Sequence, residues 1–152
     1  MWVRMGEWDG TSMTDLHGAL RRYLDARNSS LTAARQTLKV NELDARAILF
    51  IADRPGIRPG ELRDYLGVTS AGVTTLVDRL VERGIVRRDV DETDRRVTHI
   101  TLTIDLRSEP WSALTQFDHE FERAVTARND SDSARFSELL DSLTAQVRSE
   151  GS

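Results

Sequence analysis

Between Arg58 and Thr103 the spacing of apolar residues changes period, and that change confines the chain to few folds. Pro59 and Gly67 bracket a short segment, PGELRDYL, in which Leu62 and Leu66 lie four apart. Proline suits the first turn of a helix and glycine its end. Thr69 can cap a second helix, in which Val73, Leu76, Val77, Leu80 and Val81 recur at i, i+3, i+4, i+7 and i+8. That spacing predicts one buried stripe, closed by Gly84. The period then drops to two. Residues 85–89 and 95–103 read as antiparallel strands around a polar turn at 90–94, with Ile100, Leu102 and Ile104 alternating with Thr101 and Thr103. Two helices across a short turn, followed by a ribbon, can present the second helix to a DNA major groove and the ribbon to the neighbouring backbone.

The flanks read as helical. Residues 1 to about 12 form a loose arm whose Trp2 and Trp8 are free to dock on a partner. A helix over 14–38 carries Leu16, Leu20, Tyr23, Leu24, Leu31 and Leu38. At about 1.5 Å per residue it exceeds what a small core needs, which suits packing on a second subunit. Asn41 offers an N-cap with Asp44 in the first turn, and the helix through Leu43, Ala47, Ile48 and Ile51 is central, ending at Pro55-Gly56. Pro110 opens a fifth helix bearing Trp111, Leu114, Phe117, Phe121 and Val125. Residues 129–133 interrupt it before a last helix with Phe136, Leu139, Leu140, Leu143 and Val147. The expected fold is mostly α with a small β-wing: a winged helix-turn-helix domain over 41–104, flanked by an arm and dimerisation helix over 1–40 and C-terminal dimerisation helices over 105–152.

Composition excludes several classes. The 152 residues contain no cysteine, which removes disulfides and thiolate-ligated metal. No apolar run approaches the roughly 20 residues that span a bilayer, and MWVRMGEWDGTSM has no signal core, so a cytoplasmic protein without membrane contact is expected. His17, His99 and His119 fall on separate elements, so no metal or other cofactor is expected. No phosphate loop, serine elbow or catalytic carboxylate grouping occurs, so the chain does not read as an enzyme; a small hydrolase or transferase is the weakest reading. The net charge of −4 argues against nucleic acid, but between Arg54 and Ile100 nine arginines face eight acidic residues, leaving the acidic excess to the flanks. Lys39 is the only lysine; this arginine bias runs through the whole chain and reads as genomic composition rather than selection for binding.

The second helix turns Ser70, Ala71, Thr74, Thr75 and Asp78 away from its stripe. A small, hydroxyl-bearing face lets bases and phosphates approach, and threonine methyls can touch thymine methyls. Thr69 and Ser70 stand where helix amides attract phosphate. Arg79 either reaches guanine or phosphate, or is held in an ion pair by Asp78, Asp91 or Asp94. Arg95 and Arg96 lie at the ribbon; alternation along a strand predicts that one enters a minor groove while the other braces the wing through Asp91 or Asp94. Arg58 and Arg63 flank the first helix of the pair, near phosphates or simply solvated.

The run PGELRDYLGVTSAGVTTLVDRLVERGIVRRDVDETDRRVTHITLT resembles the MarR (multiple antibiotic resistance regulator) family of transcription regulators. It carries that family's D-R-L-x-x-x-G-I/L-V pattern from Asp78 to Val86 and its D-x-x-D-R-R pattern from Asp91 to Arg96. The resemblance implies a homodimeric, cytoplasmic DNA-binding protein, a repressor, acting on double-stranded DNA at a pseudo-palindromic operator. It also implies modulation by a small aromatic effector in a crevice where Tyr23, Trp111 and Phe117 are candidates; taken one by one, those aromatics read rather as dimer core. Some members sense metals, which nothing local supports here. Where the family has a T-x-x-G turn, this chain has Thr103-Ile104-Asp105-Leu106 and a longer approach to Pro110, which leaves the start of the fifth helix open. The rival reading is a winged-helix adaptor that binds protein instead of DNA, which the acidic total charge favours.

Overall fold

The computed structural model describes residues 15–128 and 131–150. Trp2 and Trp8, read as free to dock on a partner, and Asn129 lie outside them. In chain order the elements are α1 (Asp15–Leu38), α2 (Glu42–Asp53), α3 (Pro59–Leu66), α4 (Ser70–Glu82), β1 (Val86–Val90), β2 (Thr98–Leu102), a 3-10 turn (Trp111–Leu114), α5 (Gln116–Arg128) and α6 (Asp132–Glu150). The described residues fall into two compact units, divided after Phe117. The chain is mostly α, with a two-stranded antiparallel wing.

In the first unit Ile48 and Ile51 of α2, Leu62 of α3, Leu76, Val77 and Leu80 of α4, Ile85, Ile100 and Leu114 form the fully buried centre. The helices begin where side chains satisfy their free N–H groups. Asn41 accepts from the Asp44 N–H at 2.7 Å, and the Thr69 hydroxyl accepts from the Gly72 N–H at 3.0 Å. Gly67, at φ 68°, stops α3 by entering the left-handed region, and its N–H donates to the Arg63 carbonyl at 2.9 Å. Only residues 67–69 separate α3 from α4.

Val81 departs from the expected stripe: it is 37% exposed, whereas Val73, Leu76, Val77 and Leu80 are buried. At about 100° per residue, i+8 falls some 80° from Val73, at the stripe's edge.

The wing pairs Val86 with Leu102, Arg88 with Ile100 and Val90 with Thr98. Ile100 also bridges Ile57 in the turn between α2 and α3, donating to its carbonyl at 2.8 Å. Its own carbonyl accepts from the Gly56 N–H at 3.1 Å. The hairpin is thus bonded to the helical core along its inner strand.

The second strand is shorter than its alternation suggests, opening at Thr98 instead of Arg95. Side chains capture the backbone there. Asp91 Oδ1 accepts from the N–H groups of Thr93 and Asp94 at 2.8 and 3.0 Å, and Asp94 Oδ1 accepts from the Arg96 N–H at 3.0 Å. Residues 91–97 therefore form a loop that holds Arg95 and Arg96, and strand alternation does not set the directions of these two side chains.

The fifth helix likewise starts later than Pro110. The Asp105 carboxylate accepts from the Arg107 N–H at 2.9 Å and the Ser108 hydroxyl at 3.2 Å. A 3-10 turn then buries Leu114 before α5 begins at Gln116. In the second unit α6 exposes Phe136, Leu139, Leu143 and Val147 along one stripe.

Replacing Leu80, fully buried, by alanine should cost about 3 kcal/mol through the cavity it leaves. Val81→Ala should stay within about 1 kcal/mol. Urea midpoints of the two variants check the contrast.

Candidate nucleic-acid interface

The amino-terminal half of α4 carries the outward face. Thr69, Ser70, Ala71, Thr74 and Thr75 are all exposed. The Thr74 and Thr75 hydroxyls donate to the carbonyls of Ser70 and Ala71 at 2.9 and 3.0 Å, which leaves their oxygens able to accept. Arg63 lies against Asp64, with nitrogens 2.8 and 2.9 Å from one carboxylate oxygen, and reaches the Ser70 hydroxyl at 3.4 Å. Its guanidinium therefore stands at the start of α4.

The carboxy-terminal half of α4 is held from three sides. Asp44, whose side chain is 3% exposed, accepts both Nε (3.2 Å) and Nη2 of Arg79 in a two-pronged ion pair. The bonds to the carboxylate hold the Arg79 pKa above its usual value. The partner of Arg79 is thus none of Asp78, Asp91 or Asp94. Asp78 instead accepts from Arg88 of β1 at 2.6 Å. Arg83 donates to the carbonyls of Leu38 and Lys39, both at 2.9 Å, capping the end of α1. In the sequence Asp44 reads only as a first-turn acid; its place on the otherwise apolar inner face of α2 is the signal that could have marked it.

On the wing, Arg95 and Arg96 are exposed, and no hydrogen bond or ion pair engages either guanidinium among the described residues. Neither guanidinium is braced by Asp91 or Asp94; Arg96 meets Asp94 through its backbone N–H alone. Arg96 lines a shallow cleft with Val97, Thr98, Pro59 and Arg58, so two exposed arginines from the wing and from the start of α3 share one recess. The side chain of His99 joins the loop to the turn between α2 and α3: Nδ1 lies 2.8 Å from the Gly56 carbonyl and Nε2 3.1 Å from Asp91. The bond to Asp91, then that to Gly56, raises its pKa.

Two of the aromatic candidates meet. Tyr23 and Phe117 pack with ring centroids 5.5 Å apart, and Trp111 packs against the core. A groove of about 780 Å³ between α1 and α2 is lined by none of them. It presents Arg27, Arg35, Arg46 and Arg54, together with Glu42 and Asp53, around Phe50 and Tyr65, and Arg35 lies 3.9 Å from the Glu42 carboxylate. Those two rings stack at 3.9 Å and 7°, with Arg46 over Tyr65 at 5.5 Å and Arg54 over Phe50 at 4.8 Å. Among the described residues no group of three His, Cys, Asp or Glu side chains could hold a metal, and no helix is long and apolar enough to cross a membrane.

A short turn between two helices, the second with an open face, and an arginine-bearing hairpin define a winged helix-turn-helix. Residues 38–97 match the model of the MarR family, and this segment is similar to that family's winged helix. No curated protein sequence matches the chain. Solved structures match over most of their length. A MepR mutant of S. aureus bound to an oligodeoxyribonucleotide shares 16% identity at a TM-score of 0.58, over 90% of this chain and 99% of that one. Apo wild-type MarR from E. coli shares 21% at 0.57, over 86% and 97%. A transcriptional regulator of Thermotoga maritima shares 22% at 0.55, over 88% and 96%. At these identities the structures establish the common fold.

Arg79→Ala should lower stability by about 2–3 kcal/mol, the low end for stranding one charge of a buried pair because the guanidinium is 40% exposed. Replacing the pair together, Asp44→Leu with Arg79→Met, should restore most of that stability, read as the urea midpoint at unchanged slope.

Proposed function

We propose that this chain is a DNA-binding transcription regulator that reads a duplex with the amino-terminal half of α4 and steadies itself with the wing. The observation that carries the reading is the coincidence of an exposed hydroxyl face, Thr69 to Thr75, with exposed arginines at positions 58, 95 and 96 in one compact unit. A structural relative solved with an oligodeoxyribonucleotide supports it. Thr69, Ser70, Ala71, Thr74 and Thr75 meet base edges and the phosphates beside them, Arg58 and Arg63 approach the backbone, and Arg95 and Arg96 reach toward the adjacent minor groove. Arg79, engaged with Asp44, orients α4 and offers only its outer edge to DNA.

The working form is a homodimer. The apolar stripe of α6, with Leu139 half exposed and Val147 more so, is the kind of surface that a partner covers. A twofold dimer calls for a pseudo-palindromic operator with half-sites about 34 Å apart. Repression follows from the resemblance, as do a cytoplasmic location and the lack of enzymatic activity. For a small aromatic effector, the arginine groove around Phe50 and Tyr65 is better equipped than Tyr23, Trp111 or Phe117: guanidinium can pair with an acidic substituent while a ring meets the aromatic wall. Binding there would bias the spacing of the two lobes and so the affinity for DNA.

The test is salt-dependent binding to duplex. The wild-type chain should bind random duplex at low salt and release it steeply as salt rises. Arg95→Ala with Arg96→Ala should flatten the log–log slope by about one unit for each phosphate that the wing no longer neutralises. An unchanged slope rules out phosphate binding by the wing; no duplex binding at low salt leaves the protein-binding adaptor, which the net charge of −4 favours.

A further inference from the structure

We propose that His99 is the positioning residue of the wing: as an imidazolium it clamps the 91–97 loop to the turn between α2 and α3, and so sets where Arg95 and Arg96 stand beside α3. The consequence for DNA rests on the function proposed above; the clamp does not.

Both ring nitrogens face acceptors. Nδ1 is 2.8 Å from the Gly56 carbonyl oxygen and Nε2 is 3.1 Å from Asp91 Oδ2. A neutral imidazole has a single N–H, so either tautomer turns a lone pair toward one of these oxygens. Only the protonated ring donates to both.

Each end of the clamp is itself anchored. Gly56 donates its N–H to the Ile100 carbonyl at 3.1 Å, which ties that turn to β2. Asp91 Oδ1 accepts from the Thr93 N–H at 2.8 Å, the Thr93 hydroxyl at 2.6 Å and the Asp94 N–H at 3.0 Å. The loop organised in this way carries Arg95 and Arg96, and Arg96 shares its cleft with Arg58. His99 thus joins Asp91, which accepts three of the bonds that shape the arginine loop, to the turn from which α3 starts.

The charged groups around the ring are few. Asp91 favours the proton, and Arg58, before α3, disfavours it. Asp89, opposite His99 in the ladder, is paired with Arg87 at 3.0 Å. The bonds to Asp91 and Gly56 prevail and raise the His99 pKa, while the bonds from Thr93 and Asp94, together with His99, hold the Asp91 carboxyl far below the usual carboxylate range. A raised histidine pKa means that the clamp is complete below about pH 6.5 and fails as pH rises through the folded-state value. A depressed Asp91 pKa means that its part is intact above about pH 4 and fails only in stronger acid.

Nitrogen-detected NMR of the histidine rings in the uniformly labelled, DNA-free full chain tests the clamp directly. His99 should show two protonated nitrogens and a midpoint above about 6.5, and the amide shifts of Thr93 and Asp94 should follow that midpoint. Asp91→Asn, which keeps an amide oxygen for the Thr93 and Asp94 N–H groups, should bring the His99 midpoint down. A wild-type midpoint at or below about 6.5, or wing amides that ignore it, overturns the clamp. Duplex binding from about pH 6 to about pH 9 then tests the consequence. Wild-type affinity should fall several-fold across that range, and His99→Gln should sit near the high-pH level with a flattened profile. A pH profile unchanged in His99→Gln overturns the positioning role. Absence of duplex binding at every pH, with the ring titrating as expected, leaves the clamp standing and removes the DNA reading instead.

Discussion

Asp44 is the buried charged side chain among the described residues, and a carboxylate in that place is tolerable only if it is paired. Arg79 supplies the pairing from a position 35 residues later, on α4. The pair is weak evidence for stability, since apolar residues of similar volume often do as well. What it contributes is orientation: a two-pronged guanidinium fits one geometry, so α4 cannot rotate about its axis without stranding a charge. Asp78 to Arg88 and Arg83 to the carbonyls of Leu38 and Lys39 act at neighbouring positions on β1 and α1. One half of α4 is thereby fixed to three elements. The other half, residues 70–75, keeps its outward side chains available. A helix that must meet a ligand precisely gains from being fixed at the end that does not meet it.

The apolar periodicities are readable in the sequence because burial enforces them. The stripe of α4, the caps at Asn41 and Thr69, and the stop at Gly67 each follow from local rules that the core then reinforces. What stays hidden is polar and long-range. Asp44 looks like any acid in a first helical turn, and nothing near it in sequence names Arg79. The strand boundary at Thr98 escapes the alternation of apolar residues because Asp91 and Asp94 offer the backbone an alternative to the ladder, and that alternation does not register the competition. His99 reads as one more isolated histidine, for its two acceptors come from residue 56 and residue 91. The groove around Phe50 and Tyr65 is hidden for the same reason: its arginines are spread over α1 and α2, and an arginine on a helix reads as solvated until a ring is seen beneath it.

Net charge is the poorest guide to the candidate interface, and the pairing pattern explains why. Of the nine arginines between residues 54 and 100, Arg63, Arg79, Arg87 and Arg88 each lie against a carboxylate. Arg83 is engaged by carbonyls and Arg54 by a ring. Among the described residues of this segment, Arg58, Arg95 and Arg96 have no such side-chain partner, and the fold gathers them at the wing and the start of α3, two of them lining one cleft. The acids of this segment therefore do not cancel its arginines uniformly. They tie most of them into the scaffold and leave a small group exposed at one edge. A duplex approaching that edge would feel the nearby unpaired charges far more than the distant acidic excess, because ions screen the latter beyond about 8–10 Å. An acidic protein can thus present a basic edge, provided that its carboxylates are placed to hold some arginines and leave others free.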